Sequence, residues 1–168
     1  MCGLRSFHQS LQLGSFPMRK LIVLTSLALF ALMLSAVTVM ASDFTGTWKL
    51  NLAKSKPSND LASQTMKIEQ TGSNAYRTTI DGVMNSGKKE HQEVNRICDG
   101  KEHATTGVGF KQEGATEICE QMGSNRKVTQ KRDGKVVSEF TSTVSPDGKV
   151  MTNVRKGGGD ETLVFDRQ

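Results

Sequence analysis

After residue 42 the apolar residues come one or two at a time, separated by polar ones, and no segment sustains a repeat near 3.6. The clearest alternation is at the start, where Phe44, Gly46, Trp48, Leu50 and Leu52 fall on one face of an extended segment. Val136 with Phe140, and Leu163 with Phe165, repeat the pattern further on. This is the signature of strands with one wet face. Asp-Gly recurs at 81–82, 99–100, 133–134 and 147–148, and Gly72-Ser73-Asn74, Gly123-Ser124-Asn125 and Gly157-Gly158-Gly159-Asp160 add further turn signals. The segments between them predict strands near 44–52, 62–71, 75–81, 89–98, 101–106, 115–122, 126–132, 135–145, 149–156 and 161–167. About eight to ten short strands joined by tight turns make an antiparallel all-β meander, and closing it into a barrel removes the two exposed edges.

The first 41 residues read differently. Arg19 and Lys20 precede an apolar run from Leu21 to Val39, and Val39-Met40-Ala41 offers small residues at a cleavage position. Residues 18–41 are expected to be a signal peptide cleaved near Ala41, with residues 1–17 an upstream extension and 42–168 the folded domain. An uncleaved anchor is the alternative, and charge before the run still places the remainder outside the cytoplasm. The expected location is therefore periplasmic or secreted, with no membrane span in the mature protein.

Removing that leader changes the charge argument. The chain carries +5 overall, but Arg5, Arg19 and Lys20 lie in the first 41 residues with no Asp or Glu. The remainder holds 19 basic and 17 acidic residues, interleaved throughout, for a net charge of +2. That is an ordinary solvated surface, and no nucleic-acid partner is expected. The remaining 127 residues suit one domain, expected to be monomeric.

The opening stretch Phe44-Thr45-Gly46-Thr47-Trp48-Lys49-Leu50 resembles the first strand of the calycin superfamily, the lipocalins and fatty-acid-binding proteins. The mature chain is also similar to exported bacterial proteins with lipocalin-like domains. The similarity runs through Gly46–Asn51 with Ala53–Lys56, Asp99-Gly100-Lys101 with Thr106-Gly107, Asp133–Val137, Val144-Ser145 with Asp147-Gly148-Lys149, and the ending Val164–Gln168. The resemblance implies a β-barrel whose closed end is plugged by Trp48, with Gly46 and Arg167 beside it. It implies no chemistry. Two departures set the chain apart from the fatty-acid binders. The connection between the first two strands, near 53–60, is too short for a helix-turn-helix lid. The Arg and Tyr that hold a carboxylate on the last strand correspond here to Leu163 and Phe165, forfeiting charge-assisted hydrogen bonds of about 1.5–3 kcal/mol each.

Candidate chemistry is sparse. Tyr76, Arg77, Arg96 and Arg126 lie within predicted strands and are candidate interior polar groups, because a buried Arg demands a ligand or an internal ion pair. A one-residue register change inverts their facing. Phe110, in the irregular stretch 107–114, and Phe140 complete the candidate ligand contacts. Cys98 and Cys119 are the only cysteines after the leader. An oxidising compartment favours a disulfide worth about 3 kcal/mol, yet a strand at 101–106 paired between them would hold them ~9.6 Å apart, beyond bridging. Both outcomes stay open. His91 and His103, with Glu90, Glu93, Asp99 and Glu102, show no metal-ligand spacing, so neither metal nor cofactor is expected. Phosphate loops, nucleophile elbows and paired nucleophile–base motifs are missing, and Cys98 with His103 is a weak dyad. The expected function is non-catalytic binding of a small hydrophobic ligand in the barrel. The alternative is a filled barrel serving as a cell-envelope interaction or inhibitor domain, with an apolar patch around Val108 and Phe110.

Overall fold

The computed structural model describes residues 43–111 and 113–168; the expected leader and upstream extension lie outside them. Strands β1 (Gly46–Leu50), β2 (Leu61–Gln70), β3 (Ala75–Met84) and β4 (Lys89–Ile97) form one antiparallel half. Strands β7 (Ala115–Met122), β8 (Asn125–Arg132), β9 (Lys135–Val144), β10 (Val150–Lys156) and β11 (Glu161–Arg167) form the other. The halves meet where β1 pairs with β11, placing Trp48 opposite Arg167 and Leu50 opposite Phe165. On the far side the chain crosses from one half to the other. Its first part, β5 (Glu102–Ala104), pairs with β7, and after the buried Thr105 its second part, β6 (Thr106–Val108), pairs with β4. One split strand thus laces the sheet into a nearly closed barrel, an all-β antiparallel fold as the sequence predicts.

Each expected strand is present, with informative shifts. Asp81-Gly82 is not a turn. β3 runs through it to Met84, because the ten-residue β2 pairs along its whole length, and a bulge between Leu61 and Ser63 accommodates the irregularity. The turn falls at 85–88 instead. Asp133 and Gly134 do form a two-residue hairpin, with φ of 49° and 75°, the positive-φ pair that matches strand twist. Leu52 leaves the inner face because the chain breaks into a single 3-10 turn at Leu52–Lys54. Val136 does not share the inner face with Phe140. A bulge between β8 and β9 intervenes, and Val136 is 58% exposed. Ten residues join β1 to β2, and no lid helices stand between them.

The interposed-strand objection to the disulfide fails for a structural reason. After Asp99-Gly100 the chain leaves β4 and its first part, β5, pairs only with β7, with Gly100 N–H donating to the Cys119 carbonyl at 2.9 Å. Nothing separates the ends of β4 and β7, so Cys98 and Cys119 are bonded, their Cα atoms 4.4 Å apart.

One end is sealed by a packed base. Trp48 and Phe44 are completely buried, and the Trp48 indole N–H donates to the Phe44 carbonyl at 2.9 Å. Arg167 lies over the indole at 4.3 Å, a cation–π distance. It donates to the carbonyls of Gly148, Thr45 and Asp43 at 2.6, 2.7 and 2.5 Å. Gly46 makes this possible: its φ is +118°, and a Cβ there would stand 2.8 Å from Arg167 Nη1.

Candidate functional site

Strand alternation decides which side chains enter the barrel. On β3, Tyr76, Thr78 and Ile80 point in while Arg77 points out; on β10 the inward set is Met151, Asn153 and Arg155. Above the base these side chains, Tyr76 excepted, line a cavity of about 230 Å³. Its apolar wall is Phe44, Met66, Ile68, Ile80, Phe140, Met151, Leu163 and Phe165. Its polar wall includes Gln64, Gln92, Gln130, Thr78, Ser142 and Asn153, with Arg96, Arg126, Arg155 and Glu161.

The three interior arginines are in different electrostatic states. Arg96 forms a bidentate pair with Glu117, at 2.8 and 3.2 Å, with side chains only 8% and 2% exposed. Arg155 pairs with Glu161 at 2.8 Å and donates to Ser58 Oγ at 3.2 Å. Arg126 has no carboxylate in contact among the described residues. Its guanidinium is stacked between the rings of Phe44 and Tyr76, 4.3 Å from each, and donates twice to Gln121 Oε1, at 3.0 and 2.6 Å. Burial, and then the neighbouring Arg96 cation, pull Arg126 down to about 10, while Tyr76 and Asp43 act the other way. A cation buried without a counter-ion is expensive, and this one borders a cavity.

Tyr76, Arg96, Arg126 and Phe140 are therefore brought together, with Arg96 lying 5.2 Å from the Phe140 ring centre. Arg77 is separated from them. Being one residue from Tyr76 on β3, it lies on the outer face, paired with Glu93 at 3.1 Å and donating to Asn95. Phe110 also stands apart, in a cleft of about 240 Å³ at the open end with Val137 and Thr116. That cleft shares Gln92, Val94, Gln130 and Arg155 with the barrel cavity. The histidines pair locally, His91 with Asp81 and His103 with Asp99. Among the described residues no cluster of His, Cys, Asp and Glu is arranged to hold a metal ion.

Sequence reasoning missed Glu117, Asn153, Arg155, Glu161, Thr78 and Ser142. For Glu117 a signal existed. Arg96 is two residues before Cys98, and Glu117 is two before Cys119. Residues two apart share a strand face, so a disulfide between the cysteines carries Arg96 and Glu117 into the same interior and onto facing edges.

No family model matches the sequence, and no curated protein matches it. Solved structures do match. The fluorescent protein UnaG superposes with a TM-score of 0.56 at 17% identity, covering 77% of this chain and 100% of UnaG. Two single-site variants of UnaG give TM-scores of 0.56 and 0.53, at 16% and 20% identity, covering 77% and 76% of this chain and 99% and 98% of theirs. At such identity the likeness speaks for the fold. With the nearly closed antiparallel sheet and the sealed base, the described domain has a calycin-like β-barrel fold.

Proposed function

We propose that the domain is an exported, non-catalytic binding protein that takes a small amphipathic anion into its barrel. The supporting observation is Arg126, a buried cation with no carboxylate in contact, on the wall of a 230 Å³ cavity whose opposite surfaces are apolar. A ligand acid meeting Arg126 supplies the missing charge through hydrogen bonds worth about 1.5–3 kcal/mol each. Met66, Ile68, Ile80 and Leu163 accept its apolar body. The cavity lies just under the ~300–1,000 Å³ of drug-sized sites, so the ligand is small. This is not the carboxylate grip of the fatty-acid binders on the last strand, where Leu163 and Phe165 stand.

The buried Cys98–Cys119 bond supports export, because such bonds persist in oxidising compartments. Export in turn supports the similarity to bacterial lipocalin-like proteins. On this reading the protein works as a monomer, without cofactor and without nucleic acid. Among the described residues no helix is long and apolar enough to cross a membrane.

The test is titration with 1-anilinonaphthalene-8-sulfonate, an amphipathic anion. Saturable 1:1 binding is expected, weakened at least about tenfold by Arg126→Met, the loss of one charge-assisted contact. Binding that ignores Arg126→Met, in a variant that melts normally, refutes the reading. A second reading draws on the open end, where Val108 is 50% and Val137 47% exposed and Phe110 sits in the adjoining cleft. It makes the domain an interaction or inhibitor module of the cell envelope. Wild-type protein that binds no small anion, yet captures an envelope protein through Phe110, would select it.

A further inference from the structure

The barrel cavity adjoins a second space. The cleft beside Phe110, of about 240 Å³ at the open end, shares Gln92, Val94, Gln130 and Arg155 with the cavity. The segment that carries Phe110 is fixed to the barrel at both ends. On one side Gly109 lies so close to β4 that a Cβ on it would stand 2.2 Å from the His91 carbonyl oxygen, and its φ of +82° suits glycine. On the other, Asp133 N–H donates to the Gly114 carbonyl and Thr105 N–H to the Ala115 carbonyl, both at 3.0 Å. The cleft is thus a held feature of the mouth.

Its charge is one-sided. The residues bordering it include Lys111, Lys131, Arg132 and Arg155 and no Asp or Glu. Lys131 and Arg155 are matched, by Glu102 at 2.5 Å and by Glu161 at 2.8 Å. Lys111 and Glu113 stand 4.0 Å apart and largely exposed, a pairing worth little. Arg132 has no carboxylate in contact among the described residues, its chain neighbour Asp133 included. Its Nη2 donates to the Lys111 carbonyl at 3.1 Å, so the guanidinium bridges β8 and the Phe110 segment, and the residue is exposed. Most of its N–H donors remain for a ligand. Arg126, Gln130 and Arg132 fall on one face of β8, and Gln130 borders both spaces. One strand face therefore carries a cation at each end, one inside the barrel and one at its mouth, their Cα atoms about 20 Å apart.

We propose that the ligand is a slender dianion with an acid at each end, of the medium-chain α,ω-dicarboxylate class. One carboxylate meets Arg126, the chain follows the apolar wall, and the second carboxylate lies in the Phe110 cleft beside Arg132. An extended chain advances about 1.2 Å per bond, and each terminal hydrogen bond adds about 3 Å. A diacid of about ten carbons therefore covers the ~20 Å between the two rows. A monoacid of that length leaves the cationic cleft to water. This inference rests on the Arg126 reading above and adds a second end to it.

The test compares decanedioate, its monomethyl ester and decanoate as displacers of 1-anilinonaphthalene-8-sulfonate. A second carboxylate without a partner costs desolvation, so a site with one anion contact prefers decanoate. The expected order is the reverse. Decanedioate should bind about fivefold or more tighter than either monoanion, the scale of an ion pair at an accessible site and beyond the statistical advantage of two equivalent ends. High salt should shrink that preference, and Arg132→Gln should abolish it while sparing decanoate. The ester arm needs no variant. Decanedioate no tighter than the two monoanions, or a preference that survives Arg132→Gln, overturns the second subsite and leaves the Arg126 reading standing. Arg132→Gln weakening all three equally would give Arg132 a structural role through Lys111, and would also overturn it. Failure of all three to displace the probe overturns both proposals.

Discussion

The two ends of the barrel handle buried polarity in opposite ways. At the base, Arg167 is enclosed by three carbonyls and an indole, and the Trp48 N–H is taken up by Phe44. In the hollow part above, Thr78, Asn153 and Arg155 keep unpaired atoms, and Arg126 has no carboxylate in contact among the described residues. Both regions have the same architecture and both contain an arginine against aromatic rings. The difference is whether the protein itself completes the partners. Where it does, the group stabilises the fold; where it does not, the group costs stability and is available to something else.

That contrast can be broken by substitution, starting at the base. Trp48→Ala empties a completely buried site and should destabilise by about 3–5 kcal/mol; chemical denaturation measures it, and a parent-like midpoint would show that the indole is no plug. Close behind comes the completed ion pair at the β4–β7 seam. Glu117→Ala strands Arg96 in the interior and should cost ~3–5 kcal/mol. Removing the neighbouring disulfide by replacing Cys98 and Cys119 with Ser should cost about 3 kcal/mol, given a separation of 21 residues. A smaller loss would mean that the seam holds without it.

The hollow region should answer with the opposite sign. Arg126→Met removes a buried charge with no carboxylate in contact among the described residues, and is expected to raise the stability of the ligand-free protein by ~1 kcal/mol while weakening anion binding. Thermal melts with and without the anionic probe test both halves; a destabilised variant would place Arg126 with the base. The smallest effect is in pH. Arg126 is held at about 10, below the ordinary arginine value. Between those values the unfolded chain holds more protons than the folded one, so this group's contribution rises with pH. Wild-type stability relative to Arg126→Met should therefore improve as pH climbs through about 10, and a flat difference would remove the claim that this cation is strained by burial.

Much of the architecture was legible along the chain because it is local. The alternation of Phe44, Gly46 and Trp48, the two-residue turn at Asp133-Gly134, and the lack of a helical period all act within a few residues. Where local reading erred, a longer-range pairing prevailed. Asp81-Gly82 became strand because β2 needed a partner along its length, and Val136 turned outward at a bulge. The site was harder. Tyr76, Arg96, Arg126 and Phe140 were visible as candidates, but Arg77 could be separated from Tyr76 only by facing, which a single-residue shift reverses.

By itself, then, the sequence determined an antiparallel all-β meander, since turn chemistry and period-two patterning are written residue by residue; the tryptophan plug was implied by the resemblance of the opening stretch. Tertiary structure alone decided that the two cysteines meet, that Arg96 finds Glu117, and that Arg126 finds no carboxylate. Those are pairings between strands far apart in the chain, set by register and by where the crossing segment leaves β4 for β7. A charge's partners follow from that geometry, and so do the buried atoms left without one.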